Sequence, residues 1–372
     1  MKKILLSPPH LTGNEATYIQ QVLDSNWIAP VGKMLADFEE AVCAFTGAKY
    51  ALATHSGTAA IHLGLRLLGV GKGDNVICPS LTFIATANPI LYLNANPIFV
   101  DSDAQGNIEP AHLEQALAYC VQTGKPAKAI VIVHLYGQSV QLYELTRIAQ
   151  AYHVPILEDA AEALGSLYAG KALGTWGDVG VFSFNGNKII TTSGGGMLLL
   201  PTLEMREKAL FWATQAKDIA PHYQHSEIGY NYRLSNVLAG IGVAQMLALP
   251  ARIARRRAVF AYYFEALHAE RVGEKLAFLT ETPQTFTNRW LTIVLFRTFE
   301  TREKIRLALE EAGIESRPIW KPLHLQPLFA KTPYFGDGVG EDIFERGLCL
   351  PSGTTMDEKD MDFCVQIIKN NL

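Results

Sequence analysis

The chain has 372 residues, 49% of them hydrophobic, and a formal net charge of −4 at pH 7. That is enough apolar material for a large core and suggests two domains, while the mixed and slightly acidic charge lacks the basic footprint of a nucleic-acid binder. The five cysteines, at 43, 78, 120, 349 and 364, are odd in number and form no CxxC pair, which argues against a disulfide framework or a zinc site.

At the N-terminus two lysines precede Ile4-Leu5-Leu6, and Pro8-Pro9 ends the apolar stretch before it reaches signal-peptide length. The longest apolar run, Ala129 to Val133, is strand-sized and far short of a membrane span. A cytoplasmic protein without a membrane span is expected. From there to about residue 231 short β-branched runs alternate with helical patterns. The runs are Tyr50–Thr54, Val76–Pro79, Ile98–Asp101, Ile130–His134, Ile156–Asp159, Val179–Phe184 and Met197–Leu200. Between them, Ala60, Leu63, Leu67 and Leu68 illustrate one apolar helical face. Strands separated by amphipathic helices predict parallel βαβ units, and the continuous apolar runs predict a sheet covered on both faces.

After Asn231 the pattern changes. A long helix is expected from Asn236 through Pro250 toward Leu267, followed by a strand at Leu291–Phe296, a helix at Arg302–Ala312 and a Pro-rich segment from Pro318 to Pro327. These predict a smaller α+β domain, with the boundary placed at residues 250/251. The basic run Arg252–Arg257 reads as the solvated face of the helix. His222 and His225 lack acidic or cysteine neighbours at ligand spacing and read as a polar surface loop, so no metal is expected. A ligand site is expected where parallel strands end, near the domain junction.

Four segments at or beyond strand ends carry residues suited to chemistry. Thr54-His55-Ser56-Gly57-Thr58 lies between a strand and a helix. The N–H groups of such a first turn bind anions, although from this segment alone a plain N-cap by Ser56 or Thr58 is the stronger reading. Leu157-Glu158-Asp159-Ala160-Ala161-Glu162 ends a strand on adjacent carboxylates, which suit a metal, an acid/base pair, a protonated ring nitrogen or simple solvation. Lys188 is the single charge in Val181–Gly196, a Gly- and Thr-rich stretch between apolar strands. A lysine shielded there has its ammonium disfavoured and its amine freed as a nucleophile. Gly229-Tyr230-Asn231-Tyr232-Arg233 leads into the long helix.

Together these segments resemble the sugar aminotransferases of fold type I named after DegT, DnrJ, EryC and StrS. The most specific likeness is EDAAEALGS followed by the lysine of SFNGNKIITTSGGG, with GYNYRLSN downstream. The resemblance implies a mostly parallel sheet flanked by helices, a small C-terminal domain and pyridoxal 5'-phosphate (PLP) as cofactor. It implies that Lys188 carries the PLP and moves a proton, and that Asp159 pairs with the pyridinium nitrogen. Gly57, Thr58 and Ser183 match phosphate-binding positions; Phe83 and Ala161 match the two faces of the ring; Asn231 matches a contact to the neighbouring subunit's cofactor in a homodimer. Many relatives carry Gln where this chain has Glu162, the position facing the ring hydroxyl. A sugar-dehydrating branch has His in place of the lysine, and Lys188 argues against it.

Within the family the resemblance is to the aminotransferases of UDP-bacillosamine biosynthesis, carried by SPPHLTGNE, Ser25–Pro30, Ser316–His324 and CLPSGT. It implies transfer of an amine from L-glutamate to C4 of a UDP-linked 4-keto-6-deoxy-N-acetylhexosamine. Asn26, Trp27, Ile28 and Ala29, with Arg317, Pro318, Ile319 and Trp320, would line the sugar-nucleotide site. Read without the resemblance, Arg317 is as well a surface ion pair and the tryptophans core packing. The alternatives are a GDP-perosamine-type or dTDP-sugar aminotransferase, a different PLP enzyme such as a lyase or desulfurase, and a non-enzymatic PLP-fold regulator.

Overall fold

The computed structural model describes residues 3–268 and 275–372. Helices α1 (Glu15–Asp24) and α2 (Lys33–Thr46) precede β1 (Tyr50–Thr54); α3 (Gly57–Leu67) leads to β2 (Asn75–Pro79), and α4 (Asn88–Tyr92) to β3 (Asn96–Val100). Next come α5 (Pro110–Gln122), β4 (Ala127–Val133), α6 (Leu142–Tyr152) and β5 (Ile156–Asp159), then the two-residue strands β6 (Leu167–Tyr168) and β7 (Lys171–Ala172). Strands β8 (Val179–Ser183) and β9 (Gly196–Leu200) flank the lysine-bearing loop, and α7 (Leu203–Ala213) precedes the long α8 (Asn236–His268). The remainder is β10 (Leu276–Phe278), β11 (Thr285–Phe286), β12 (Thr292–Phe296), α9 (Phe299–Glu311), β13 (Arg317–Pro318), β14 (Tyr334–Phe335), α10 (Val339–Arg346), β15 (Gly347–Leu350) and α11 (Glu358–Asn371).

The main sheet has eight strands in the order β1-β9-β8-β5-β4-β2-β3-β14. Only β9 runs against its neighbours β1 and β8; every other pair is parallel. Side-chain alternation divides each strand between two layers. Ile130 and Ile132 face a core shared with Phe38 of α2 and Leu145 of α6, whereas Ala129 and Val131 face one shared with Ile61 of α3 and Trp212 of α7. Helices therefore cover both sides, which is why these strands read as continuous apolar runs. A second sheet, β10-β12-β15-β13, packs with α9, α11 and the far half of α8 around Val259, Phe296 and Leu348.

The boundary expected at residues 250/251 lies inside α8, which continues past Pro250. Ile253 still belongs to the main core and Val259 to the second one. Beyond residue 250 the chain also returns to the large body, where β14 pairs with β3 and β11 with β6. By length and composition alone α8 could cross a membrane. Here it is a core helix against α1 and α2, with Leu249, Ile253 and Val259 buried.

The basic run on α8 corrects the sequence expectation. Arg252, Arg255 and Arg257 are half-buried and Arg256 is 2% exposed. Arg252 donates to the carbonyls of His10 and Leu11, Arg255 to that of Met356, Arg256 to those of Trp290 and Ser352, and Arg257 to that of Thr287. Three segments without regular partners converge on this stretch, and the guanidinium forks satisfy their backbone oxygens. Composition could not reveal that, because the acceptors come from distant chain.

Candidate active site

The carboxyl ends of the parallel strands lie along one edge of the main sheet, and the loops leaving them enclose a cavity of about 390 Å³. β1 supplies His55, Ser56, Gly57 and Thr58; β2 supplies Phe83 and Thr86; β5 supplies Asp159, Ala161 and Glu162; β8 supplies Ser183 and then Lys188. Sites at this edge are general for open α/β sheets.

Ser56 caps α3, its hydroxyl accepting from Ala59 N–H at 3.1 Å, so the capping reading is correct. The segment does more than cap, because Gly57 and Thr58 also line the cavity beside Ser183. A Cβ on Gly57 would come within 3.1 Å of the Ser183 Cβ, and one on Gly196 would come within 2.5 Å of the Gly57 nitrogen. Glycine at both positions lets β9 and the end of β8 press against the helix N-terminus, which gathers first-turn N–H groups and two hydroxyls in an arrangement suited to an anion.

Adjacent in sequence, Glu158 and Asp159 part company in space. Glu158 is fully buried and accepts from Gly174 N–H, Trp176 N–H and Gly177 N–H, and its Oε2 lies 2.9 Å from His134 Nε2. Asp159 faces the cavity, accepting from Thr86 Oγ1 at 2.7 Å and from Ala161 N–H at 3.2 Å. A metal or acid/base pair of the two is therefore ruled out by strand alternation, and among the described residues no cluster of metal ligands occurs. Asp159 is 5% exposed, so solvation at a strand end is also excluded. Burial pushes its carboxyl above the ordinary range, against the opposing pull of the Thr86 and Ala161 hydrogen bonds and of Lys188. A buried carboxylate of this kind stabilises, and is stabilised by, a cation placed against it.

Lys188 is no surface lysine: its side chain is 13% exposed. Its Nζ is 3.4 Å from Glu162 Oε1 and 4.2 Å from the centroid of the Trp290 ring. Glu162 is held from behind by Tyr136 N–H, 2.7 Å from Oε2, and burial raises its carboxyl while Lys188 pulls it down. Phe83 is half exposed at the mouth, its ring 5.3 Å from that of Trp320.

PLP fits this lining by its chemistry. The anion cradle suits a phosphate, Asp159 a protonated ring nitrogen, Ala161 and Phe83 the flat faces, and Lys188 a carbonyl carbon.

Of the residues expected to contact a sugar nucleotide, Trp320 alone lines this cavity. Arg317 and Pro318 line a neighbouring groove of about 480 Å³ that shares Asn187, Trp290 and Trp320 with it. Arg317 is ion-paired with Glu315 at 3.0 Å, as its plainer reading anticipated. Ile319 is 2% exposed and packs in the core with Trp290 and Leu295, so its side chain supports the wall instead of forming it. Trp27 and Ile28 are exposed, Asn26 takes a left-handed φ of 61°, and Ala29 bridges to Val31; none of Asn26–Ala29 lines the cavity of its own chain. Asn231 is likewise exposed and bridges to Thr214 outside it.

Sequence reasoning missed Thr86, Tyr136 and Trp290. Thr86 lies one helical turn beyond Phe83, a spacing that could have flagged it. Trp290 immediately precedes an apolar run and reads as more of the same strand.

A model of the DegT/DnrJ/EryC1/StrS aminotransferase family matches residues 9–369. EpsN of Bacillus subtilis, named as a pyridoxal phosphate-dependent aminotransferase, is 49% identical over 99% of this chain and 95% of its own. GDP-perosamine synthase of Escherichia coli O157:H7 is 36% identical over 99% of this chain and 98% of its own. A Streptococcus pneumoniae protein named as a sugar aminotransferase, solved in PLP and PMP forms, superimposes in its PLP form with a TM-score of 0.90 at 26% identity, covering all of both chains.

Proposed function

The chain belongs to the DegT/DnrJ/EryC1/StrS aminotransferase family and is a PLP-dependent sugar aminotransferase of fold type I; from that premise we propose that it moves an amine from L-glutamate to C4 of a UDP-linked 4-keto-6-deoxy-N-acetylhexosamine. The product would be UDP-4-amino-4,6-dideoxy-N-acetylglucosamine. The observation that carries the catalytic part of this reading is the convergence of Lys188, Asp159 and the α3 N-terminus on one cavity.

When bound, PLP supplies an electron sink for the electrons left as a proton leaves the substrate carbon. Lys188 would hold the cofactor through its side-chain amine, and with that amine free it would be the base that moves the substrate proton. Glu162, 3.4 Å away, keeps the Lys188 amine at the cavity wall. Asp159, fixed by Thr86 and Ala161, keeps the ring nitrogen protonated. Gly57, Thr58 and Ser183 bind the phosphate, and Phe83 and Ala161 confine the ring.

The sugar assignment rests on the likeness of the Asn26–Ala29 and Arg317–Trp320 segments to the UDP-bacillosamine group. The relatives named GDP-perosamine synthase keep a GDP-linked sugar as the second reading. We further assign Asn26–Ala29 and Asn231 to the site of a second copy in a homodimer. The exposure of Trp27, Ile28 and Asn231, outside their own chain's cavity, supports this. Arg317 suits a diphosphate, and Trp320 a sugar or base face. Mixing the holoenzyme with L-glutamate tests the donor half: the visible absorbance of lysine-bound cofactor should give way to near-ultraviolet absorbance with release of 2-oxoglutarate. Failure with glutamate and success with another amino acid would overturn the donor assignment.

A further inference from the structure

The carbonyl of Asn187, the peptide oxygen next to Lys188, accepts two hydrogen bonds from segments far apart in the chain. Ser7 Oγ donates at 2.6 Å and Trp290 Nε1 at 2.7 Å. Arg256 ties both donors together, giving Nη2–H to Ser7 Oγ at 2.7 Å and Nη1–H to the Trp290 carbonyl at 2.7 Å. The same Nη1 reaches the carbonyl of Ser352 at 2.7 Å. Ser7, Arg256 and Trp290 are all buried, at 7%, 2% and 1% exposure. The Trp290 ring in turn faces the Lys188 ammonium at 4.2 Å.

We propose that Ser7, Trp290 and Arg256 are positioning residues for Lys188, a buried relay that fixes the peptide before the lysine while the indole face guides its amine. The proposal rests on the reading of Lys188 as the cofactor-bearing residue. The physical case is one of geometry. The loop from Ser183 to Gly196 closes on itself through Thr192 N–H to the Phe184 carbonyl and Lys188 N–H to the Asn185 carbonyl, whereas both hydrogen bonds to the Asn187 carbonyl come from outside it. A nucleophile on such a loop needs outside restraint to stay in line with a carbonyl carbon. Two donors on one oxygen supply it. Arg256 orients both because its planar fork reaches two acceptors in fixed relation, which a lysine could not do. The relay also accounts for an arginine buried in the middle of a helix: it joins the N-terminal segment to residues flanking β12 and β15 and, through Ser7 and Trp290, to the lysine loop.

The test starts from wild-type holoenzyme treated with borohydride and mapped by peptide mass. Cofactor fixed to another lysine would remove the assignment of Lys188 and this proposal with it; cofactor on Lys188 leaves the relay to be judged on its own. Ser7→Ala deletes one donor, and Trp290→Phe keeps an aromatic face but deletes the other. Each apoenzyme, mixed with saturating PLP, should form the visible lysine-bound band about 10-fold more slowly than wild type, with kcat lowered similarly and the KM for glutamate within about twofold. Ser7→Thr, which keeps the hydroxyl, should restore the rate. Variants that form the band at the wild-type rate overturn the proposal, whether or not their thermal midpoints fall, because the contacts would then hold only the fold. Slowing in Ser7→Ala that Ser7→Thr fails to relieve overturns it as well, assigning the effect to packing.

Discussion

Lys188 Nζ lies 3.4 Å from Glu162 Oε1, a carboxyl whose other oxygen is already engaged by the backbone N–H of Tyr136. The pair brings a nucleophile and a buried acid together in the cavity that Asp159 also faces. Among the described residues no second lysine lines that cavity. Lys188→Ala should therefore lose the visible band of lysine-bound cofactor and at least about a thousandfold of its turnover, since in the proposed mechanism one side chain serves as both nucleophile and proton carrier. Circular dichroism should show the fold retained. Near-normal turnover would contradict the assignment.

Asp159→Asn keeps the shape of the side chain and removes its charge. The variant should retain PLP, because the anion cradle is untouched, and should lose about 100-fold or more in kcat as the ring nitrogen loses its proton. Thr86→Val removes the 2.7 Å hydrogen bond to Asp159 and should cost about tenfold, the scale of one charge-assisted hydrogen bond. Unchanged kinetics in Asp159→Asn would return that residue to a structural role.

The buried carboxyls make the cofactor-free protein respond to pH in a defined direction. Burial raises Glu162 above its ordinary value, so the folded chain binds that proton more tightly than the unfolded chain does. Its contribution to stability is fully present below the unfolded carboxylate range and is lost as pH rises through the raised value. Thermal midpoints of apo wild type and Glu162→Gln, compared from about pH 4 to pH 8, should therefore diverge, the wild type losing ground as pH rises. Parallel curves would show that Glu162 keeps an ordinary affinity for its proton.

Much of this site was legible from residue order. β1 and β5 have the bounds that their β-branched runs predicted, and the turn at Ser56-Gly57-Thr58, Asp159 and Lys188 stand where strand ends place them. Local pattern suffices there because each loop follows directly from its own strand. What stayed hidden depends on distant chain. Arg252–Arg257 looked solvated until the carbonyls of His10, Trp290 and Ser352 appeared beside them. The separate fates of Glu158 and Asp159 follow from strand alternation once β5 is placed, yet the partners of Glu158 come from residues 174–177. Ile319 and Trp320 are neighbours in sequence, and only packing decides which one lines the cavity.

The proposed sharing of sites between subunits has its own arithmetic. If Asn231 serves the neighbouring chain's cofactor, Lys188→Ala and Asn231→Ala homodimers should each be impaired. Co-folded in equal amounts, about half of the dimers should be mixed, each with one intact site and one lacking both residues. Activity should then recover to about a quarter of wild type. Activity no higher than the mean of the two parents would place Asn231 in its own chain's site and leave Lys188 unaffected.

The most direct measurement of the proposed reaction uses wild-type enzyme converted by L-glutamate to its amino form and freed of donor. Keto-sugar nucleotides are then offered singly, and the return of the visible lysine-bound band is followed by stopped flow. UDP-linked 4-keto-6-deoxy-N-acetylglucosamine should restore the band fastest and yield the 4-amino sugar nucleotide in stoichiometric amount. Faster return with a GDP- or dTDP-linked 4-keto-6-deoxyhexose would contradict the substrate assignment, and no return with any keto-sugar nucleotide would contradict the transfer itself.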